Sequence, residues 1–190
     1  TLINKELGDN VIISENVASS LDILKNIQLK GNFIGFINDF VADGNFTTNF
    51  GQIQSDINYK IAENNIGQSS YSGKLKLIDV ELGRFLKDTV NFQKVNLSGQ
   101  IKGQGFTRET ADFKLVGDIA SIGLRGYNYS NIHSNARFAK QFFNGELDIN
   151  DPNLQFTMTG SIDLRHGKDL IKLHANLDTA FLHKLKLSKE

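Results

Sequence analysis

Four histidines, His133, His166, His174 and His183, are the first side chains in this chain with the means to do chemistry. Metal ligation asks for imidazoles or carboxylates at short, regular separations, as when two histidines stand four apart on one helix. These four share no such spacing. His166 falls in a turn-like Arg165-His166-Gly167 and His174 on the polar side of an alternating run, so all are expected at the surface. Asp148, Asp151 and Asp163 lie close in sequence, as acid/base carboxylates would. Acids of strands and turns are usually solvated, and that is the expectation for these three. A phosphate cradle needs a glycine-rich loop between a strand and a helix, whereas Gly103-Gln104-Gly105 lies within a predicted strand. No serine has the strand-turn-helix setting of a nucleophile elbow. The chain has no cysteine, which removes thiol chemistry, disulfides and cysteine metal sites together. The expectation is a protein without catalytic apparatus or cofactor.

Composition narrows the partners. Lys plus Arg and Asp plus Glu stand at 21 each in 190 residues, and no block of like charge breaks the balance. Nucleic-acid surfaces and polybasic membrane patches need an excess of one sign, so neither is expected. No apolar run reaches the roughly 18 residues of a membrane-spanning helix. The chain begins at Thr1 and closes on Leu187-Ser188-Lys189-Glu190, and residues 1–190 are expected to form a single β-groove segment of a longer, repetitive chain.

What positions the side chains is strict alternation. Val95, Leu97, Gly99, Ile101, Gly103 and Gly105 interleave with polar residues, as do Leu154, Phe156, Met158, Gly160, Ile162 and Leu164. A period of two puts every apolar residue on one face of a strand. About ten such runs are predicted, near 25–36, 39–50, 52–62, 70–80, 92–106, 110–120, 122–138, 140–150, 153–165 and 169–178. The phase slips between Tyr129 and Ile132, which predicts a bulge. Connections are short and rich in turn residues, as in Asp151-Pro152-Asn153, so neighbours are expected to be antiparallel. Three stretches, 17–24, 82–87 and 179–187, have helical spacing instead and hint at irregular repeats.

One pattern recurs seven times: apolar, polar, Gly, polar, apolar, centred on Gly31, Gly44, Gly73, Gly99, Gly117, Gly145 and Gly160. Glycine weakens a strand and offers nothing to pack. Two explanations stand: glycines let a sheet bend tightly, or they leave room for something slender and apolar. A face of ten strands cannot stay bare in water. Either the sheet closes as a barrel or sandwich, or it curls into a trough lined for an apolar ligand. A transmembrane barrel alternates in the same way, but no Trp, four Tyr and fourteen scattered Phe do not suggest aromatic girdles. Residues expected to line a groove are Phe33, Phe46, Leu75, Leu97, Ile101, Leu115, Phe143, Leu147, Phe156, Met158 and Ile162, with ordinary core packing as the alternative.

The stretch Phe142-Phe143-Asn144-Gly145-Glu146-Leu147-Asp148-Ile149-Asn150-Asp151-Pro152-Asn153-Leu154, continuing through Phe156 and Gly160 to Ile162-Asp163-Leu164, resembles the TamB-type translocation and assembly module, in the AsmA-like superfamily. Leu77 to Leu86 and Asn96 to Gly105 resemble AsmA-like stretches in which a short helix precedes a glycine-rich strand. The resemblance covers most of the chain through degenerate motifs. It implies an all-β fold, a long curved antiparallel sheet forming a taco-like apolar groove with a few short helices. It also implies a periplasmic protein of a Gram-negative bacterium whose parent is anchored in the inner membrane. The implied role is carriage of phospholipid acyl chains toward the outer membrane, with an outer-membrane TamA-like barrel as partner through the parent chain. The competing expectation is a closed β-barrel or sandwich serving as a structural or adhesin module without a ligand.

Overall fold

A computed structural model describes residues 27–36, 38–62, 65–107, 109–165, 167 and 169–188. The protein is all-β, 71% strand with almost no helix, so among the described residues no helical layer covers the sheet. Ten strands follow in chain order: β1 (Ile27–Phe36), β2 (Asp39–Thr48), β3 (Gly51–Lys60), β4 (Ser70–Glu81), β5 (Phe92–Gln104), β6 (Asp112–Leu124), β7 (Tyr127–Ala139), β8 (Phe142–Asp151), β9 (Leu154–Asp163) and β10 (Leu170–Ala180). Their order in space is the same as in sequence, every neighbour pair antiparallel. Short hairpins permit no other neighbour, since a parallel crossover would need a dozen or more residues. A 3-10 turn, η1 (Ile66–Gln68), precedes β4, and one helical turn, α1 (Leu82–Phe85), follows it.

The sheet is open, which sets aside the closed barrel or sandwich for the described residues. β1 and β10 are its two edges. Among the described residues the substantial packing runs between neighbouring strands, with α1 added against β5.

Register shifts concentrate near one end of the strands. Leu77 pairs with Leu97 and Val80 with Val95, so β4 carries one extra residue, and Asp79 takes it up in a left-handed conformation (φ 52). The slip expected between Tyr129 and Ile132 is seen as Asn131 at φ 51. Asn and Asp tolerate this region because their side chains bond locally. The Asn96 amide ties the irregular strands together, accepting from Asp79 N (2.9 Å) and donating to Ser121 Oγ (3.0 Å).

Two boundaries differ from the periodicity reading. The break expected near residue 121 is absent: β6 runs on through Leu124 and the turn is Arg125-Gly126, with positive φ at both. The slip in phase imitates a strand end, because apolar Ile119 and Ile122 face the same side three residues apart. The stretch 179–187 is not a helix: Thr179 and Ala180 pair with β9, and residues 182–186 are a hydrogen-bonded turn. That turn and α1 close in the same way. Asp88 N bonds Gly83 O and Lys87 N bonds Arg84 O; Leu187 N bonds Leu182 O and Lys186 N bonds His183 O. Both are Schellman closures with a left-handed lysine at the cap, Lys87 (φ 56) and Lys186 (φ 58), which stop the helix almost as it starts. The helix expected at 17–24 lies outside the described residues.

Candidate functional site

Register builds the site directly. Strand neighbours on the apolar side fall into four rows that cross all ten strands. The first is aromatic: Phe40, Tyr59, Tyr71, Gly103, Phe113, Phe138, Phe143 and Ile162 are successive partners from β2 to β9. Ring centroids stand 5.4 Å apart for Phe40 and Tyr59, and 5.6 Å for both Phe113–Phe138 and Phe138–Phe143. Where Gly103 contributes no side chain, Phe106 returns from the β5–β6 hairpin to lie 5.2 Å from Tyr71 and 6.3 Å from Tyr59. The fourth row is bulky and largely aliphatic: Leu29, Phe46, Ile53, Leu77, Leu97, Ile119, Ile132, Ile149, Phe156 and Leu177.

Between them run two rows of mixed size, and these hold all seven glycines of the recurring pattern. One reads Phe33, Ala42, Ile57, Gly73, Ile101, Leu115, Ala136, Gly145, Gly160, Leu173; the other reads Gly31, Gly44, Ser55, Leu75, Gly99, Gly117, Ser134, Leu147, Met158, Ala175. The result is a band in which gaps and large side chains alternate, flanked by two bulky rows. Across nine strand spacings it extends roughly 43 Å.

The glycines stand where the neighbouring strand leaves no room for a side chain. A Cβ built on Gly117 would stand 2.5 Å from the Gly99 Cα, and one on Gly160 would strike the Lys172 carbonyl oxygen. Gly160 also holds φ 136, which other residues rarely adopt. Neighbouring backbones come too close for any side chain, so these glycines serve close approach.

No ionised side chain occurs in the four rows. Ser55 and Ser134 do, and both are almost fully buried. Their hydroxyls turn into the sheet, Ser55 Oγ donating to Ala42 O (3.1 Å) and Ser134 Oγ to Leu115 O (3.3 Å). Their polarity is spent on the backbone, which leaves the face apolar.

All eleven residues expected to line the groove fall on these rows. Leu115 and Phe143 are buried; Phe46, Leu75, Leu97, Ile101, Leu147, Phe156, Met158 and Ile162 are half-buried. Phe33 takes its place in β1 by register, and its side chain lies outside the described residues. Sequence reading missed Ile53, Leu77, Ile119, Ile132, Ile149 and the aromatics of the first row other than Phe143. The signal exists, since each alternates within its strand, and Tyr71 and Ile119 also flank the pattern glycines Gly73 and Gly117.

Asp151 overturns the expectation of a solvated acid: it is 1% exposed. Pairing of β7 with β8 begins at Ile132, beyond the Asn131 kink, so the Ser130 N–H has no partner on β8. Asp151 supplies one, accepting from Ser130 N (2.9 Å), Ser130 Oγ (2.8 Å), Tyr127 OH (2.5 Å) and Asn153 N (2.8 Å). Burial pushes its pKa up, but the bonds from Tyr127, Asn153 and Ser130 outweigh that and hold it below the usual carboxylate value. The arrangement closes the β8–β9 turn. Asp148 is exposed, and Asp163 makes a bidentate pair with Arg165 (2.8 and 2.6 Å).

His133 Nδ1 lies 2.8 Å from Asp118 on the polar face, His174 and His183 are exposed, and His166 lies outside the described residues. Among the described residues, no three His, Asp or Glu side chains group as metal ligands would, and no helix is long and apolar enough to cross a membrane. Two shallow depressions of 590 and 620 Å³ open on the polar side, lined by outward residues of mixed charge such as Asp43, Asp56, Lys74 and Lys102. Neither is enclosed; the first is lined by Lys60, Lys102, Lys114 and Arg137 with Asp112, the second by both signs. The extended apolar face is therefore the candidate site. Comparison with family models, curated proteins and solved structures finds nothing that matches the chain.

Proposed function

We propose that the chain is a lipid-carrying segment of a bacterial envelope protein, its apolar face holding phospholipid acyl chains between the inner and outer membranes. The observation that carries this reading is the set of four rows without an ionised side chain, on an open sheet with no second layer packed on it among the described residues. Exposed apolar surface of this extent is rare on proteins that bind nothing. Each buried methylene is worth about 0.8 kcal/mol, so roughly fifteen of them give on the order of 12 kcal/mol of gross stabilisation for one acyl chain. Because the rows cross every strand, a lipid sliding along them would meet the same surface at each step and would not be solvated in transit. The reading assigns no catalysis to the chain. It places the parent in the periplasm, anchored in the inner membrane, with a TamA-like outer-membrane barrel as partner, in line with the TamB-like stretches.

Native mass spectrometry of the chain purified gently from bacterial cells tests the reading. Phospholipid adducts that are released on collisional activation are expected. A chain free of lipid under conditions that preserve other lipid carriers would overturn it.

A further inference from the structure

The balanced charge of the chain conceals a local excess that folding assembles. On the side of the sheet bordered by the bulky aliphatic row, three segments distant in sequence meet: α1 with the loop to Asn91, the Arg125-Gly126 turn, and the C-terminal turn 181–188. Arg125 N bonds Asn91 O (3.1 Å) and its Nε reaches Asn91 Oδ1 (3.3 Å). Lys186 lies against Gly126, its Nζ 3.2 Å from where a Cβ on that glycine would stand. Residues 81–94, 125–126 and 181–188 carry six cations, Arg84, Lys87, Lys94, Arg125, Lys184 and Lys186, all exposed, against two acids, Glu81 and Asp88. Glu81 is engaged by Arg84 (2.6 Å) and Asp88 by Asn91 (3.0 Å).

The same lip exposes large apolar side chains between the cations: Val90 (78%), Leu187 (55%), Leu182 (52%), Phe181 (49%) and Phe85 (40%). We propose that this lip docks on a membrane surface carrying anionic phospholipid. Lysines attract the headgroups, and isolated apolar side chains dip into the interface at whatever spacing they have. A folded protein partner would need a cavity matched to each, and a nucleic acid would gain nothing from Val90, Leu182 and Leu187. Lys87 and Lys186 cap equivalent turns, so both cations are fixed by backbone closure. This docking does not depend on whether the apolar face carries lipid.

The test is co-sedimentation of the chain with vesicles of phosphatidylcholine alone and of phosphatidylcholine with phosphatidylglycerol at 3:1. Binding to the anionic vesicles at least tenfold tighter, and weakened by salt, is expected. Each surface lysine contributes about 1 kcal/mol at an anionic membrane, so Lys87→Gln/Lys184→Gln/Lys186→Gln should lose on the order of a hundredfold. Circular dichroism reports whether the triple variant folds; if it does not, the salt dependence of the unaltered chain decides. Leu97→Asp, on the apolar face, should bind vesicles like the parent while losing any carried lipid, which separates this proposal from the preceding one. Equal binding to both vesicle types, binding indifferent to salt or to the triple substitution, or no vesicle binding at all would overturn it, the last leaving the lip to a protein partner.

Discussion

Gly99 and Gly117 are register partners on β5 and β6, and each occupies the space that a side chain on the other would need: a Cβ on Gly99 would stand 2.9 Å from the Gly117 Cα, and one on Gly117 2.5 Å from the Gly99 Cα. Gly117→Ala must therefore part the strands. Overpacking of this kind costs about 1–3 kcal/mol. A lowered urea midpoint with unchanged slope is expected, and the double substitution with Gly99→Ala should fall short of or exceed the sum, because the two sites share one contact.

The buried acid predicts a second effect. Asp151→Ala leaves the Ser130 and Asn153 amides and the Tyr127 hydroxyl without their acceptor, and a loss on the order of 3 kcal/mol is expected. The pKa of Asp151 is lowered in the folded state, so its contribution is fully present above the unfolded carboxylate value and disappears as pH falls through the folded one. Urea titrations from pH 7 down to about 2 should show the parent losing its advantage over the variant below about pH 4. A constant difference across that range would contradict the role given to the carboxylate.

All four tyrosines are held neutral beyond their ordinary range. Burial is the leading cause in each; for Tyr71, with Tyr59 and Asp112 adding to it, the pKa is pushed up to about 12. The folded protein should thus show little tyrosinate absorbance at 295 nm at pH 10, where the urea-unfolded chain is about half ionised. Groups whose folded pKa is raised in this way release protons first in the unfolded state. Stability should accordingly decline from about pH 10 toward pH 12.

Alternation gives a paired substitution test of the working face. Leu97 is half-buried in the aliphatic row, while Ser98 beside it points to the exposed polar side. Leu97→Asp should abolish copurifying phospholipid while shifting the urea midpoint modestly, because the new carboxylate retains access to water on an open sheet. Ser98→Asp should leave both unchanged. Complete unfolding by Leu97→Asp would mean that the face is sealed as a core, where an unpaired charge is strongly destabilising.

Much of the architecture was written locally. Val95 to Gly105 and Leu154 to Leu164 declare strand and face by alternation alone, since successive side chains of an extended backbone must point to opposite sides. Turn chemistry at Asp151-Pro152-Asn153 and short hairpins elsewhere made the neighbours antiparallel, and the phase slip before Ile132 located the kink at Asn131. What alternation could not convey was register. Whether seven glycines scatter over a face or assemble into two adjacent rows depends on the summed lengths of ten strands and nine connections. The end of β6 was misplaced for the same reason, because a bulge and a strand end break the period alike.

The fates of single residues were decided further still from the local sequence. Asp151 is buried because β7 parts from β8 at Asn131 and leaves the Ser130 N–H to be satisfied; nothing around Asp151 announces that distant need. The segments that carry Lys87, Arg125 and Lys186 meet only because strands joined by short turns return every second end to the same side of the sheet. Sequence by itself determined strand period, apolar face and turn chemistry, which are properties of a residue and its near neighbours. Tertiary structure alone decided that the sheet stays open, that the glycines align, and that a neutral chain brings six of its 21 cations to one lip, because each depends on which strands lie side by side.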